Sequence, residues 1–396
     1  MNILFLNNIP FNPEYGGIER VTDILTKALI ERYNHKVYYL SFDAEKAGNY
    51  EYPAPLFCIT SYSDYDTCRK YIAELVERYS IDIIINQRGQ VPEICRMINN
   101  QKAKIINALH SQPTAWYKAD LLRILGYTPV TIKEKVKYLI KVFLYPFLYY
   151  KKKQNRFKIY CQQYKYMFDT SDVVVLLSDR FKQELNLFVD GVIESPKVYG
   201  IPNPNTFLIR PDSASLDKEK IILYVGRLDR TEKAPLRLLQ IWQRLYNRYK
   251  DWSLQIVGDG PDKQRMQEYA LRHNLDRVFF EGAHSDVSEF YNRASFICLT
   301  SNFEGWGMAL TEGMQHGCIP FTYNNYGAAS DIIEDGVSGC LIKPSSLRNY
   351  AQRLSELMDD DDLRRKMSHE ARKKVREFDT ETVAMRWDRL FHTILG

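Results

Sequence analysis

Short apolar runs, each followed by a longer amphipathic stretch, recur along most of the chain. The first run, Asn2–Leu6, predicts a buried strand. After a loop over Asn7–Gly17, apolar residues recur at helical spacing and predict a helix over Ile18–Arg32. A strand, a glycine-containing loop and a helix in this order are typical of the first unit of a doubly wound parallel sheet.

The same alternation continues through the first half of the chain and restarts in the second half. The further predicted strands are Lys36–Phe42, Leu56–Thr60, Ile81–Asn86, Lys104–Leu109, Val173–Leu177, Ile221–Val225, Trp252–Val257, Val278–Glu281, Phe296–Leu299, Ile319–Thr322 and Cys340–Ile342. The further predicted helices are Tyr65–Tyr79, Val91–Ile98, a helix that Ser178 caps and Phe188 ends, a helix from Ala234 or Pro235 to Tyr249, Gly307–His316, an acidic helix start at Asp359–Asp362, and Thr380–Leu395 with Asp379 as its cap. This order predicts the α/β fold class with two parallel sheets.

A stretch rich in turn residues, Val198–Asn205, separates the two alternating blocks. Its two prolines and one glycine are typical of a domain linker. We therefore predict two doubly wound domains, over residues 1–200 and 205–378, and a C-terminal helix over residues 379–396 that crosses back toward the first domain. A chain of 396 residues is long enough for two domains of ordinary size.

The segment Thr131–Phe168 interrupts the alternation and concentrates the positive charge. It contains ten Lys or Arg and one acidic residue, Glu134, whereas the whole chain has a net charge of only +5. Aromatic and aliphatic residues lie between the cations at helical spacing, which is typical of a helix on an anionic membrane surface. Two other interpretations stay open: a helix that packs on its own domain with a solvated basic face, and a groove for an anionic acceptor. Pro146 is expected to interrupt this helix.

Composition narrows the class of protein further. Apolar residues make up 45% and charged residues 26% of the chain, as in soluble globular proteins. Seven scattered Cys without a C-x-x-C pair predict reduced thiols and a cytoplasmic protein. The N-terminus enters a strand without a basic region, so we expect no signal peptide, and no apolar run is long enough to span a membrane. The small net charge does not favour a nucleic-acid partner.

We expect no catalytic metal. The spaced pair Asp64 and Asp66 precedes a helix instead of ending a strand, so the pattern indicates a capping turn.

The most informative stretch is Phe296–Pro320, in which a buried strand, a loop and a helix follow one another. Glu304 lies in the loop and Glu312 in the second turn of the helix, and helical side chains lean toward the N-terminus, so Glu312 can lean toward Glu304. Free N–H groups at the helix start suit a phosphate, and glycines let the backbone approach it. A single Glu here would more often face solvent beside an ordinary turn.

Two other strand ends carry candidate chemistry. Arg227 and Lys233 lie at the carboxyl edge of the Ile221–Val225 strand, where two cations would neutralise a diphosphate, although surface cations are often only solvated. His110 follows the Lys104–Leu109 strand, at the edge where α/β sheets place functional groups, although a lone His is usually structural. Gly16 and Gly17 either admit a phosphate or only form the turn.

The string around Glu304, S-x-x-E-G-W-G, with Glu312 eight positions later, resembles the E-x7-E signature of GT-B glycosyltransferases of family 4, of the bacterial cell-surface polysaccharide type. The strings GGIERV, INALHSQP, VGRL with Lys233, and the G-x-G-P loop at Gly258 resemble further motifs of that family. The resemblance implies a GT-B fold, in which two Rossmann-like domains face each other across a cleft that holds the active site.

The resemblance also implies roles for individual residues. Glu304 would bind the donor sugar and Glu312 the nucleotide ribose, Arg227 and Lys233 would bind the diphosphate, and His110 would lie near the reacting sugar carbon. The further donor-binding residues that it implies are Gly16, Gly17, Gly226, Gly258, Gly260, His284, Gly305, Trp306, Gly307 and Met308.

The function that these expectations give is a retaining, metal-independent hexosyltransferase without a cofactor. It would move a hexose or N-acetylhexosamine from a nucleotide-diphosphate sugar, with UDP-sugar as the first hypothesis, to a saccharide or lipid-linked acceptor in the synthesis of a surface polysaccharide such as a capsule or lipopolysaccharide. The expected location is the cytoplasm, with the basic segment at residues 131–168 as a contact to the inner face of the membrane. Two alternatives stay open: a soluble enzyme that makes a small glycoside or phosphosugar, and a nucleotide-sugar-binding protein without turnover.

Overall fold

The computed structural model describes residues 1–46, 48–59, 64–99, 101–119, 145–207 and 218–396. Residues 120–144, which include the first part of the basic segment, lie outside these ranges, as do Thr60 of a predicted strand and residues 208–217.

The first domain is built on a parallel sheet of seven strands in the order β3-β2-β1-β4-β5-β6-β7. The strands are β1 (Asn2–Asn7), β2 (Lys36–Ser41), β3 (Leu56–Cys58), β4 (Ile83–Asn86), β5 (Lys104–Leu109), β6 (Val173–Leu176) and β7 (Val198–Gly200). The central strands are apolar throughout because helices cover both faces of a parallel sheet. In the register of β1 and β4, for example, Ile3 lies beside Ile83, and both are buried.

Helices connect these strands. They are α1 (Gly17–Tyr33), α2 (Tyr65–Arg78), α3 (Pro92–Ile98), α4 (Tyr145–Asp169) and α5 (Phe181–Asn186), with a short 3-10 helix at Ala44–Lys46. Asp64 caps α2 by accepting bonds from the backbone N–H groups of Asp66 and Thr67, which confirms the predicted capping turn. Pro146 is the second described residue of α4, and the residues before Tyr145 lie outside the described ranges, so an interruption of the helix at Pro146 stays a prediction.

The second domain has a parallel sheet of six strands in the order β10-β9-β8-β11-β12-β13. These strands are β8 (Glu219–Val225), β9 (Ser253–Val257), β10 (Val278–Gly282), β11 (Ala294–Cys298), β12 (Ile319–Tyr323) and β13 (Cys340–Ile342). In both sheets the first strand of the domain lies in the interior and its neighbours follow in opposite directions. This is the doubly wound order, so the predicted α/β fold class with two Rossmann-like domains is confirmed.

Helices also connect the strands of the second sheet, and further helices follow its last strand. They are α6 (Leu236–Trp242), α7 (Lys263–Arg272), α8 (Ser288–Arg293), α9 (Met308–Gln315), α10 (Ala329–Ile332), α11 (Leu347–Asp359), α12 (Asp361–Val375) and α13 (Thr380–Leu395), with a 3-10 helix at Arg376–Phe378.

Four local predictions need correction. Ser178 lies two residues before Arg180, the N-cap position of α5, so it does not cap that helix, although its Oγ accepts a bond of 3.0 Å from the Arg180 N–H. The helix predicted to reach Tyr249 ends at Trp242, because the N–H groups of Arg244 and Leu245 then bond three residues back instead of four. The first residues of the predicted linker, Val198–Gly200, form β7, the last strand of the first sheet. Asp379 lies at the N-cap position of α13 without capping it.

The side chain of Asp379 is used elsewhere. Its Oδ1 accepts a bond of 3.1 Å from Asn205 Nδ2, and Asn205 also donates to the carbonyl oxygen of Val375 at 2.8 Å. The connection between the sheets is thus fastened to the segment that precedes α13, which explains why this carboxylate does not cap its own helix.

The last helix returns to the first domain and packs along α1. His35 Nε2 lies 2.8 Å from Asp388 Oδ1, and Arg32 pairs with Glu381 at 3.2 Å. These contacts join the end of the second half to the first sheet.

Candidate active site

A cavity of about 440 Å³ lies between the two domains. Residues after β1 and β5 line it from the first domain, and residues after β8 and β11 line it from the second. In α/β sheets, ligands bind at the carboxyl ends of the strands, and both sheets turn this edge toward the cavity. Both carboxylates of the Phe296–Pro320 stretch, Glu304 and Glu312, line it.

Glu304 is held by a lysine and a serine of its own domain. Lys233 Nζ bonds its two carboxylate oxygens at 2.8 and 2.7 Å, and Ser301 Oγ donates to Oε1 at 2.7 Å. Glu304 is only 6% exposed, so its charge needs the compensating charge of Lys233. Lys233 and Glu304, which the sequence analysis assigned to the ends of two different strands, therefore form one buried ion pair.

The backbone explains why Lys233 and Glu304 meet. Asn302 Nδ2 donates to the carbonyl oxygens of Arg230 and Thr231 at 3.2 and 2.9 Å, and the Asn302 N–H donates to the carbonyl oxygen of Glu232 at 2.7 Å. The loop after β8 is thereby fastened to the loop after β11, which aligns the two charged side chains before any ligand binds.

Glu312 is held by residues from three parts of the chain. Its Oε1 accepts bonds from Arg20 Nη1 at 3.3 Å and Thr206 Oγ1 at 3.0 Å, and its Oε2 accepts one from Tyr291 OH at 2.9 Å. Burial raises the pKa of Tyr291 well above its usual value, so the phenol keeps the proton that it donates. Arg20 is on α1, so this ion pair crosses from one domain to the other.

The start of α9 lies between these carboxylates. Met308 and Ala309 form its first turn, and both line the cavity. The N–H groups of a first helical turn have no partner inside the helix, and the helix dipole favours an anion there. A diphosphate placed at this point would meet backbone donors on one side and Lys233 on the other.

Gly305 packs closely against the first domain. A Cβ atom at this position would lie 2.1 Å from the carbonyl oxygen of His110 and 3.1 Å from Cα of Ser111. No side chain fits at that separation, so glycine is required for this approach of the domains. Gly305 therefore serves the closure of the cavity as much as it serves a ligand.

His110 lies directly after β5 and lines the cavity. Its Nε2 bonds Gln87 Oε1, and Gln87 Nε2 donates to Thr22 Oγ1 at 3.0 Å, which fixes the amide and makes His110 Nε2 the donor. Burial, and after it the charge of Arg88, lowers the pKa of His110 to about 3. The imidazole is therefore neutral at physiological pH and is a weak base.

Arg227 is placed differently from Lys233. Its guanidinium pairs with Glu232 and is 53% exposed, and Arg227 is not among the described residues that line the cavity, whereas Glu232 is. The neighbouring Gly226 does line it. The structure thus brings Arg227 to the rim of the site but pairs its charge with an acidic residue of the wall.

Gly258 and Gly260 lie behind the loop that carries Arg227. A Cβ atom on Gly258 would lie 2.0 Å from the carbonyl oxygen of Gly226, and one on Gly260 would lie 2.6 Å from that of Leu228. The two glycines support the loop from outside the cavity. His284 is exposed, bonds the carbonyl oxygen of Glu281 at 3.1 Å and does not line the cavity either.

The remaining predicted residues line the cavity. These are Gly16, Gly17, Trp306, Gly307 and Met308. The indole of Trp306 is buried against Phe378, with ring centroids 4.9 Å apart, so it supports the wall by packing. Met308 Sδ is 3.4 Å from Asn203 Nδ2 of the connection between the sheets.

Sequence reasoning missed several residues that hold the carboxylates. Arg20 follows the Gly16-Gly17 pair by one helical turn, and this position at the start of a helix after a glycine loop could have identified it. Ser301, Thr206 and Tyr291 show no local signal, because each acts through a contact that only the tertiary fold creates. Among the described residues, no group of three or more His, Cys, Asp or Glu could hold a metal ion.

Part of the chain matches a known protein family. Residues 205–374 match the family described as glycosyl transferases group 1. This range covers the Lys233–Glu304 pair and Glu312 but not the first domain.

Three of the curated proteins that share sequence with the chain illustrate the range of its relatives. An uncharacterized glycosyltransferase of Haemophilus influenzae is 30% identical over 55% of this chain and 60% of its own length. The GalNAc-α-(1→4)-GalNAc-α-(1→3)-diNAcBac-PP-undecaprenol α-1,4-N-acetyl-D-galactosaminyltransferase of Campylobacter jejuni is 26% identical over 45% of this chain and 49% of its own length. The chain thus spans about half the length of these two relatives. The N-acetyl-α-D-glucosaminyl L-malate synthase of Bacillus anthracis is 24% identical over 97% of this chain and 95% of its own length.

Solved structures match the fold over the whole chain. Anabaena HepE, crystallised in complex with UDP and glucose, superposes with a TM-score of 0.71 at 15% identity, over 99% of this chain and 100% of its own. At this identity the likeness shows the fold alone, which is GT-B as expected.

Proposed function

We propose that the protein is a retaining glycosyltransferase. It transfers a hexose or N-acetylhexosamine from a nucleotide-diphosphate sugar, with UDP-sugar as the expected donor, to a saccharide or lipid-linked acceptor in the synthesis of a surface polysaccharide. No cofactor and no metal takes part, and the donor is a substrate.

One observation carries this proposal. The cavity between the domains joins the Lys233–Glu304 pair, Glu312 and the first turn of α9 in one place. A cation and free amides suit the diphosphate, and two carboxylates suit the hydroxyls of a sugar and a ribose. Few ligands other than a nucleotide-diphosphate sugar carry these three groups at once.

The comparisons support the same chemistry. Residues 205–374, which match the family of glycosyl transferases group 1, contain both carboxylates and Lys233. Anabaena HepE, which shares the fold, was crystallised with UDP and glucose bound together. The Campylobacter jejuni relative is named for a substrate on PP-undecaprenol, which supports a lipid-linked acceptor.

The residues of the second domain would act on the leaving group. As the bond from the sugar carbon to the phosphate oxygen breaks, negative charge grows on the diphosphate, and Lys233 and the amides of Met308 and Ala309 stabilise it. Arg227 would join them by leaving Glu232. The acceptor oxygen forms the new bond on the same face, and its proton passes to the departing phosphate oxygen, so the configuration is retained.

His110 would position the sugar and not remove the proton. Its lowered pKa, about 3, makes the imidazole too weak a base for an alcohol at neutral pH. With Nε2 donating to Gln87, the lone pair of His110 lies on Nδ1, which is buried beside Asn203. Because His110 lines the cavity, its ring would contact the sugar near the reacting carbon.

The basic helix α4 would bring the enzyme to an anionic membrane. Near its start, Tyr150 is 62% exposed, and the cations Lys151, Lys152, Lys153 and Lys158 are exposed beside it. Such a surface suits anionic lipid head groups. None of the described helices is long and apolar enough to pass through a bilayer. Sedimentation with anionic vesicles, compared with neutral vesicles, tests this part of the proposal separately.

A second function has a specific observation in its favour. The Bacillus anthracis relative, which the chain covers almost completely, is named as a synthase of a small glycoside. A soluble enzyme with a small acceptor is therefore the alternative, and an absence of vesicle binding would favour it.

A thermal-shift screen with UDP-, GDP-, ADP- and CMP-sugars tests the donor assignment, since a ligand that binds the native state raises the melting temperature. We expect one nucleotide class, UDP, to stabilise the protein. Proton NMR of the product from an α-linked donor should show an α-glycoside. Activity should survive EDTA, and a requirement for added manganese would contradict the metal-free mechanism.

A further inference from the structure

A second cavity, of about 520 Å³, lies in the first domain beside the cavity of the candidate active site. The residues after β1 and β4 and the sides of α3 and α4 line it, so it too is at the carboxyl edge of the sheet. Trp116 lines both cavities, which places its side chain where they adjoin. The volume is in the range of small-molecule sites.

Two buried oxygen atoms in the wall of the second cavity have no hydrogen-bond partner among the described residues. They are Asn8 Oδ1 and Gln90 Oε1. Buried polar atoms in native proteins are nearly always bonded. Both oxygens are shielded from solvent, so each amide must turn about its last side-chain bond before its oxygen can accept a bond from a ligand in the cavity. Amide oxygens accept from hydroxyl groups, and their own NH₂ groups can donate in return.

Aromatic rings form the other part of the wall. Tyr65 and Trp116 are partly exposed, at 37% and 39%, and Tyr160 and Tyr164 on α4 complete the set. A mixture of aromatic faces and amide groups suits a molecule with apolar C–H faces and a rim of hydroxyls. A sugar ring has this character.

The charges of the wall argue against an anion. Arg88 and Glu93 are the charged residues among those that the structure places there, and they have opposite signs. The guanidinium of Arg88 is also engaged, with Nε 2.9 Å from Asn7 Oδ1 and Nη2 3.7 Å from Glu19 Oε1. A phosphate would find no free positive charge among the described residues of this wall, whereas a neutral saccharide needs none.

We propose that the second cavity binds a sugar unit of the acceptor, one unit beyond the sugar that receives the transferred group. This inference rests on the proposed function, because the receiving sugar must lie in the cavity of Lys233 and Glu304. The acceptor would pass Trp116 between the two cavities. It follows that the acceptor contains at least two sugar units and that the sugar in the second cavity is neutral.

Saturation-transfer NMR on the full chain tests the proposal without turnover. The probes are UDP and a fixed panel of neutral hexoses and N-acetylhexosamines with their disaccharides. The variant is Gln90→Leu, which keeps the size of the side chain and removes an oxygen that has no partner among the described residues, so the fold should persist. Gln101→Leu is the matched control, because Gln101 is in the same domain, lines neither cavity and donates to the carbonyl oxygen of Arg69 at 3.4 Å.

We expect at least one disaccharide of the panel to bind more tightly than both of its monosaccharides. Its affinity should fall roughly fivefold in Gln90→Leu, the cost of one hydrogen bond, and stay unchanged in Gln101→Leu. Affinity for UDP should be equal in all three proteins. The proposal is overturned if no disaccharide exceeds its monosaccharides or if Gln90→Leu binds it as the wild type does. A wild type that gives no UDP signal would instead overturn the proposed function, even if a disaccharide bound.

Discussion

The two carboxylates of the candidate active site are both buried, but they are held in different ways. Glu304 takes its partners, Lys233 and Ser301, from its own domain. Glu312 takes one partner, Arg20, from the opposite domain and another, Thr206, from the connection between the sheets. The hydrogen bonds of Glu304 therefore do not depend on the relative position of the two domains, whereas those of Glu312 do.

This difference separates two tasks. The Lys233–Glu304 pair is organised in advance within the second domain, so its proposed contact with the donor would not depend on the arrangement of the domains. Glu312 keeps its present set of partners only while α1 stays close to α9, so it reports on closure of the cleft. A ribose that takes bonds from Glu312 would also release Arg20 toward the diphosphate.

The largest effect should come from Glu304→Gln, which removes a charge and keeps the shape. The oriented Lys233 loses its partner and the sugar loses a charged acceptor, so we expect kcat to fall about a hundredfold or more. Steady-state kinetics with the stabilising donor measure this. Glu289→Gln is the control, because Glu289 is on α8 and does not line the cavity. An equal loss of activity in this variant would show that the effect of Glu304→Gln is not specific to the active site.

Gly305→Ala should weaken closure without touching either carboxylate. The added methyl group would lie 2.1 Å from the carbonyl oxygen of His110, so the domains must move apart. We expect kcat to fall about tenfold or more. Affinity for UDP should fall no further than in Arg20→Gln, because the second domain would supply the remaining contacts to the nucleotide. Small-angle scattering should show a larger radius of gyration. A UDP affinity below that of Arg20→Gln would contradict the separation of tasks.

Arg20→Gln tests the contact between the domains directly. Loss of the ion pair with Glu312 and of a cation near the diphosphate should raise KM for the donor about tenfold. Arg32→Gln is the matched control on the same helix, because Arg32 pairs with Glu381 far from the cavity. Equal kinetics in the two variants would show that the Arg20 contact is only structural.

The smallest effect concerns pH. The pKa of His110 is lowered to about 3 in the folded protein, so the unfolded chain takes up this proton first as the pH falls. The contribution of His110 to stability is present above its ordinary value of about 6.5 and is lost toward pH 3. Between pH 7 and pH 5 the free energy of unfolding should fall by at most about 2 kcal/mol from this group. Urea unfolding of the wild type and of His110→Asn at both pH values measures the difference, which should be smaller in the variant.

Sequence reasoning recovered the features that are local. Glu304 and Glu312 lie on one strand–loop–helix unit, and Lys233 follows a strand end, so spacing and position were enough to place them near one another. The same reasoning predicted Gly258 and Gly260 for the donor site; the structure shows them packed behind the loop that carries Arg227, and a contact with the donor stays a prediction. A glycine in a sequence indicates that another group packs closely against the backbone, but it does not indicate whether that group is a ligand or another part of the chain.

The contacts that cross the molecule could not be read from the sequence. Arg20 meets Glu312 across 292 positions of the chain, and Thr206 does so across 106. Asp379 is at the N-cap position of its helix, yet its side chain accepts a hydrogen bond from Asn205 instead of capping the helix. In each case a tertiary partner overrides the local pattern, and nothing within one turn of the residue signals that partner.

Lys233 and its surroundings are proposed to bind a nucleotide diphosphate. Isothermal titration of UDP into the wild type, Lys233→Ala and Lys263→Ala is the sharpest test, since Lys263 also pairs with a carboxylate of the second domain, Asp259, outside the cavity. We expect equal affinity in the wild type and Lys263→Ala and an affinity at least about tenfold lower in Lys233→Ala. Equal affinity in all three proteins, or no binding of UDP by any of them, would show that Lys233 does not hold a diphosphate.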